Sequence, residues 1–288
     1  MLTFNQAFYE SVNKLQSLYD AHEASAIAHE LMLHITGLDK IQRLMDKDKE
    51  FTIPQQEQFD GMLTDLLKGR PLQYVIGLAW FMGRKYVVNE NVLIPRPETE
   101  ELVQWIIDEW KGKNEEISIM DIGTGSGCIP ISLKLALPSA NISTCDISKG
   151  AISVATENAE NLAAQIGFIQ MDFLDESEWG KLGKYDIIVS NPPYITTQER
   201  ESLHTNVRDH EPSQALFVTN DDPLQFYKAI AKFGKSHLSP SGSIYCELHR
   251  DYAQASRSVF EEDGYKNVEV KKDMHGNWRM LRADFSAF

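Results

Sequence analysis

Two short stretches of this chain carry residues whose types and spacing can do chemistry. The first is Asp121-Ile122-Gly123-Thr124-Gly125-Ser126-Gly127-Cys128, where alternating glycines let the backbone turn sharply and bring N–H groups up to a ligand. The spacing is G-x-G-x-G with an acidic residue two positions ahead, not the G-x-G-x-x-G of a dinucleotide fingerprint. The second is Asn191-Pro192-Pro193-Tyr194. Asn191 offers a side-chain oxygen, and Pro192 offers a carbonyl with no N–H of its own to compete. The prolines restrict where that carbonyl points, so two acceptors stand ready for the N–H groups of a planar amine or amide. Each stretch taken alone is also explained by a turn.

Two more carboxylates add to the glycine loop. Asp146 stands 19 residues after Gly127, at the end of the next expected strand, where it can take both hydroxyls of a ribose. Asp172 and Phe173 end the strand after that and offer an acceptor for an adenine amino group and an aromatic wall beside the ring. Capping explains Asp146 alone and core packing explains Phe173 alone. All of these features fall at the carboxyl ends of successive strands, where ligands bind in such sheets, and that favours a ligand site.

The elements that must position these groups follow from periodicity. Strands are expected at 117–122, 141–146, 167–171, 185–190, 242–248, 266–272 and 278–284, with helices near 127–136, 149–164, 223–237 and 250–262 between them. Strand–helix alternation implies an α/β fold, a mostly parallel sheet covered on both faces. The short Met274-His275-Gly276-Asn277 turn makes the last two strands an antiparallel pair. Residues 1–70 carry helical spacing only, for example Phe4, Ala7, Phe8, Val12 and Leu15. Between the halves, Tyr86–Val88 and Val92–Ile94 flank Asn89-Glu90-Asn91 and suggest a β-hairpin ending at Pro95. A helix follows, with Glu98, Glu100 and Glu101 in its first turn. The expected division is a helical substrate-recognition domain at 1–70, a hairpin linker at 71–97 and a catalytic domain at 98–288.

DIGTGSG, TCDIS and MDF, in this order, resemble the S-adenosylmethionine site of class I methyltransferases. The resemblance implies a Rossmann-like seven-stranded sheet with a final antiparallel strand. It implies that Gly123, Thr124, Gly125, Ser126 and Gly127 face the methionine part of the cofactor, Asp146 the ribose, and Asp172 and Phe173 the adenine. Within such a fold, Asn191, Pro192, Pro193 and Tyr194 fit nitrogen methylation. An amide nitrogen is a poor nucleophile, and two acceptors on its N–H groups would orient its lone pair toward the methyl group, with Tyr194 packed against the amide. The tetrapeptide serves adenine and glutamine acceptors alike. The choice comes from Pro71-Leu72-Gln73-Tyr74-Val75-Ile76-Gly77 and Leu93-Ile94-Pro95-Arg96-Pro97-Glu98-Thr99-Glu100-Glu101-Leu102, which resemble the peptide chain release factor glutamine methyltransferases. That resemblance implies N5-methylation of the glutamine in the Gly-Gly-Gln loop of release factors, with S-adenosylhomocysteine as product. It adds Arg96 and Glu98 as substrate-binding residues beside the tetrapeptide, and Asn191 also meets the cofactor. Two segments depart from the family, Asp222-Pro223-Leu224 and Glu247-Leu248-His249, and both are expected to lie away from the methyl-transfer centre.

Composition narrows the alternatives. The 288 residues carry 42 acidic and 28 basic side chains, a net charge of −14, which opposes a phosphate-gripping surface and hence an adenine-N6 nucleic-acid methyltransferase. The ribosomal-protein glutamine methyltransferases usually depart from the string kept here at 96–100, and a purely cofactor-binding protein has little use for two positioned acceptors. Three cysteines (Cys128, Cys145, Cys246) in apolar settings indicate reduced thiols in a cytoplasmic protein. No signal sequence or membrane span is read, no metal is expected from the spacing of His34, His204 and His275, and the chain is expected to act as a monomer without direct nucleic-acid or membrane contact.

Overall fold

The computed structural model describes residues 1–113 and 116–286 and divides into two compact units, 1–78 with 204–210, and 79–203 with 211–288. The first unit is helical: α1 (Phe4–Leu15), α2 (Ala21–Thr36), α3 (Lys40–Met45), α4 (Ile53–Leu67) and α5 (Leu72–Ile76), with a late segment of the chain returning to it. Thr3, Asp39 and Thr52 start α1, α3 and α4 with reciprocal capping boxes. Phe4, Leu15, Leu31, Met32, Phe51, Phe59 and Leu66 form the core.

A hairpin of β1 (Leu78–Phe81) and β2 (Arg84–Val87) starts at the boundary of the second unit, earlier than the apolar triplets on either side of Asn89-Glu90-Asn91 suggest. Met82 and Gly83 both have positive φ, 49° and 71°, as a two-residue turn matching strand twist requires. Asn89-Glu90-Asn91 does turn, but Val92–Ile94 is not a strand, because the Ile94 N–H is taken by the Glu211 carboxylate at 3.2 Å. The remaining elements are α6 (Pro97–Trp110), β3 (Ser118–Ile122), α7 (Cys128–Ala136), β4 (Asn141–Asp146), α8 (Lys149–Asn161), β5 (Gly167–Gln170), β6 (Tyr185–Ser190), β7 (Ile195–Thr196), α9 (Thr205–His210, the segment returning to the first unit), α10 (Ser213–Leu216), β8 (Phe217–Val218), α11 (Gln225–His237), β9 (Leu238–Glu247), α12 (Ala253–Glu262), β10 (Asn267–Lys272) and β11 (Trp278–Asp284).

Seven strands form one sheet in the order β10-β11-β9-β6-β3-β4-β5, with β11 antiparallel to both neighbours and the other pairings parallel. The order reverses beside β3, and the crevice at that switch point is where ligands bind in open α/β sheets. One face is covered by apolar residues of α6, α7 and α8, the other by those of α11 and α12. Strands β3 and β6 are buried nearly throughout, and β9 is buried from Gly242 to Glu247, as strands in the middle of a covered sheet must be. None of the helices among the described residues is long and apolar enough to cross a membrane.

Candidate active site

A cavity of about 320 Å³ opens at the carboxyl ends of β3, β4 and β6. Gly123, Thr124, Gly125, Ser126, Asp146, Asp172, Phe173, Asn191, Pro192, Pro193 and Arg96 all line it. Gly127, Glu98 and Tyr194 do not.

At one end the glycine loop is held by backbone bonds. Gly123 and Thr124 N–H donate to the Cys145 carbonyl at 2.9 and 3.0 Å, which ties β3 to β4 just where the chain turns. Gly123 and Gly125 have φ of 88° and 52°, values that glycine adopts without strain. Gly127 (φ 80°) serves packing instead: a Cβ there would meet Ile131 Cδ1 at 2.9 Å and Ala155 Cβ at 3.1 Å, so its role is close approach of α7 and α8. Asp146 accepts from Gly125 N–H at 3.0 Å and Ser148 N–H at 2.8 Å, one on each oxygen. Each carboxylate oxygen keeps a lone pair, a match for the two hydroxyls of a ribose. Burial raises the Asp146 pKa, opposed by the N–H bonds from Gly125, Ser148 and Ile147. Asp121, fully buried beneath the loop, accepts from Thr144 at 2.6 Å while its Oδ1 has no partner, and burial pushes its carboxyl up to about 8.

Phe173 lines the cavity but its ring belongs mainly to the core, 5.5 Å from Trp179 and 5.3 Å from Phe233. The apolar groups left open beside it are Ile147 and Leu174, 47% and 37% exposed. Sequence reasoning passed over both, since nothing but exposure distinguishes them. The diol-matching carboxylate, the positive-φ cradle and these uncovered apolar side chains fit an adenosyl group carrying a methionine tail.

At the other end, Asn191 Nδ2 donates to Thr99 Oγ1 at 3.1 Å, and the Thr99 hydroxyl donates to Glu247 Oε2 at 2.6 Å. Tyr194, expected against the acceptor amide, instead donates its hydroxyl to Glu247 Oε1 at 3.0 Å, and its ring stands 5.8 Å from His249. Residues 247–249 therefore do not lie away from the tetrapeptide, as expected, but beneath it. Parallel pairing of β6 with β9 sets Ser190 opposite Cys246, which brings Asn191 and Glu247 to one rim. Burial raises the Glu247 pKa, opposed by the hydrogen bonds of Thr99 and Tyr194 and by Arg279. Arg96 pairs with the buried Glu211 at 2.5 Å, so much of its charge is already engaged.

His249 Nε2 lies 3.1 Å from Glu199, and His249 Nδ1 accepts from Asp251 N–H at 3.2 Å. This string forms the one His–carboxylate cluster with metal-ligand spacing among the described residues, but the accepted N–H keeps the ring proton on Nε2, against ligation through that atom. Burial pushes the Cys128 thiol up to about 12, so it stays a neutral packing group.

The sheet order, the glycine loop at its switch point and the acceptor motif after β6 define a class I methyltransferase. The described fold agrees with solved structures at low identity: a human methyltransferase 10 domain containing protein (TM-score 0.51, 19% identity, 70% of this chain and 89% of that one) and a methyltransferase from Pyrococcus furiosus (TM-score 0.50, 14% identity, 79% and 100%). Family models match residues 101–210 as a methyltransferase small domain and residues 10–77 as a PrmC N-terminal domain. Proteins named release factor glutamine methyltransferase are 41% identical in Bacteroides thetaiotaomicron (94% of this chain, 96% of that protein) and 37% identical in Flavobacterium psychrophilum (95% and 96%). The chain belongs to the release factor glutamine methyltransferase family and is an S-adenosylmethionine-dependent enzyme.

Proposed function

We propose that the chain methylates the side-chain nitrogen (N5) of the glutamine in the Gly-Gly-Gln loop of peptide chain release factors, in the cytoplasm. One observation carries this reading: a single cavity runs from the glycine loop and Asp146 to Asn191 and Pro192, so a donor held at one end meets an amide held at the other. S-adenosylmethionine supplies a methyl group on cationic sulfur, which leaves as a neutral thioether, S-adenosylhomocysteine. Asp146 takes the ribose hydroxyls, the 123–126 backbone cradles the methionine part, and Ile147, Asp172, Phe173 and Leu174 border the adenine.

The Asn191 side-chain oxygen and the Pro192 carbonyl accept the two N–H groups of the glutamine. Holding the nitrogen in line, ~3–3.5 Å from the carbon, supplies the main rate advantage through orientation. The nitrogen lone pair forms the N–C bond as the C–S bond breaks toward sulfur, and the extra proton leaves the nitrogen for water. Arg96 borders the amide end, and the helical unit supplies the grip on the protein substrate; Glu98, outside the cavity lining but in the chain between the lining residues Arg96 and Thr99, adds to substrate binding. The chain works as a monomer without direct contact to nucleic acid, in keeping with its charge of −14.

The test is incubation with labelled S-adenosylmethionine and either release factor or DNA, followed by mass spectrometry of the protein. A single CH₂ increment on the glutamine is expected, and label in DNA alone would refute the reading.

A further inference from the structure

We infer that Glu247, acting through Thr99, sets the polarity of the Asn191 carboxamide, so that its oxygen rather than its NH₂ faces the acceptor. The inference rests on the proposed function for what the oxygen does, but its geometry stands by itself. Thr99 is 2% exposed and Glu247 1%, so water does not compete for either group. The two Glu247 oxygens accept from two different hydroxyls, Thr99 at 2.6 Å and Tyr194 at 3.0 Å. Against burial, the hydrogen bonds of two hydroxyls and the charge of Arg279 favour the carboxylate form of Glu247, which only accepts, and a hydroxyl has one proton to give. The Thr99 proton is therefore committed to Glu247, and the oxygen that remains can only accept. Asn191 meets that demand with its NH₂, at 3.1 Å. Because the carboxamide is planar, fixing NH₂ toward Thr99 fixes Oδ1 on the other side.

Reversal of this string would be costly to the reaction. Were Thr99 free to donate elsewhere, Asn191 could turn over and offer the Thr99 hydroxyl its oxygen. The cavity would then present an NH₂ to the NH₂ of the substrate, a donor against a donor. Glu247 is held by more than its carboxyl oxygens: its backbone carbonyl accepts from the Tyr227 hydroxyl at 3.0 Å. The nearby Arg279 is tied to Asp273 at 3.3 Å and to the Leu248 carbonyl at 3.1 Å, so no guanidinium takes the place of Thr99. Three distant segments, at 99, 191–194 and 247, thus act as one unit with the Glu247 carboxyl at its base. Thr99 and Glu247 are positioning residues, since neither reaches the reacting atoms.

The experiment uses the full chain with release factor as acceptor and compares Thr99→Val, Thr99→Ser and Glu247→Gln, all close in size to the originals. Thr99→Val and Glu247→Gln should lower kcat about 10- to 100-fold while KM for S-adenosylmethionine stays within about threefold, the mark of lost transition-state orientation. Thr99→Ser, which keeps the hydroxyl, should stay within about threefold of the original kcat. In parallel, the side-chain NH₂ of Asn191 is followed by NMR with ¹⁵N-asparagine and no substrate. Slow solvent exchange is expected in the original protein and in Thr99→Ser, and fast exchange in Thr99→Val. Unchanged kcat in Thr99→Val, or Thr99→Ser as impaired as Thr99→Val, overturns the inference; so does equal NH₂ exchange in all proteins. If Glu247→Gln does not fold, the Thr99 pair decides. An original protein inert on release factor would sink the substrate reading, and the exchange comparison would still decide the relay.

Discussion

The two ends of the cavity are built on opposite plans. The donor end is made of backbone: Gly123 and Thr124 N–H groups bond the next strand, and Gly125 N–H bonds Asp146. The side chain that closes it is the Asp146 carboxylate at the end of β4, which the proposed function assigns to the ribose. The acceptor end depends on side chains beside the Pro192 carbonyl, with Asn191, Thr99, Glu247 and Tyr194 in a string of hydrogen bonds whose central pair, Thr99 and Glu247, is buried. A backbone site tolerates changes in side-chain chemistry but not an added Cβ. A side-chain string responds the other way, because each member determines what its neighbour can donate or accept.

Substitution at Asn191 breaks the comparison hardest. Asn191→Ala removes one of two acceptors that orient the nitrogen, and loss of a pre-positioned group of this kind costs about 10²–10³ in kcat. Affinity for S-adenosylmethionine, measured by calorimetry, should hold, because the donor end is untouched. Undiminished turnover would remove Asn191 from the reaction. At the other end, Asp146→Asn replaces a charged acceptor with a neutral one, for a loss of about 10- to 100-fold in donor affinity. At saturating donor its kcat should stay near the original, and a kcat loss exceeding the affinity loss would contradict the division between the two ends.

Gly127 sharpens the contrast within the donor end itself. Its φ of 80° and the 2.9 Å approach of Ile131 Cδ1 to any Cβ mean that Gly127→Ala combines backbone strain with overpacking, at about 1–3 kcal/mol. Urea denaturation should show that loss as a lower midpoint with little change in slope. A midpoint equal to the original would mean that α7 and α8 separate more easily than their packing implies.

The same contrast explains how much the sequence disclosed. Residues 121–128 form one contiguous string, so the loop and its strand–helix setting were both readable, and Asp146 followed from its place at the end of β4. Strand limits agree within a residue or two except for β9, which starts at Leu238 against an expected 242, because α11 runs directly into it. Thr99 lies in the 93–102 string and Glu247 in the 247–249 segment, but no local signal pairs the two. They lie 148 positions apart and meet only because β9 lies beside β6 and the first turn of α6, which carries Thr99, reaches the end of β9. The apolar triplets 86–88 and 92–94 on either side of Asn89-Glu90-Asn91 mimic a hairpin there, whereas the two positive-φ residues at 82 and 83 decide the pairing. Helix α5 went unread because five residues between Pro71 and Gly77 are too few to show a period.

A last difference between the ends is electrical. Asp121, under the donor loop, has one hydroxyl partner and one bare oxygen, whereas Glu247 has a hydroxyl on each oxygen. With so little to stabilise its anion, Asp121 is pushed up to about 8, by burial first, with the Thr144 hydrogen bond opposing and the Asp146 charge adding. In the unfolded chain the same carboxyl titrates near its ordinary value, about 3.9. Between those two values the folded protein holds a proton that the unfolded chain has released, so unfolding releases it and stability falls as pH rises. The contribution is whole below about pH 4 and is lost as pH climbs toward about 8. Denaturant midpoints measured across that range should therefore decline with pH for the original protein, after correction for the remaining carboxylates by comparison with Asp121→Asn. The asparagine keeps an oxygen for Thr144 and has no proton to lose, so its profile should be flatter. Two parallel profiles would mean that Asp121 is ionised in the folded protein and that the space around its bare oxygen is wetter than its burial indicates.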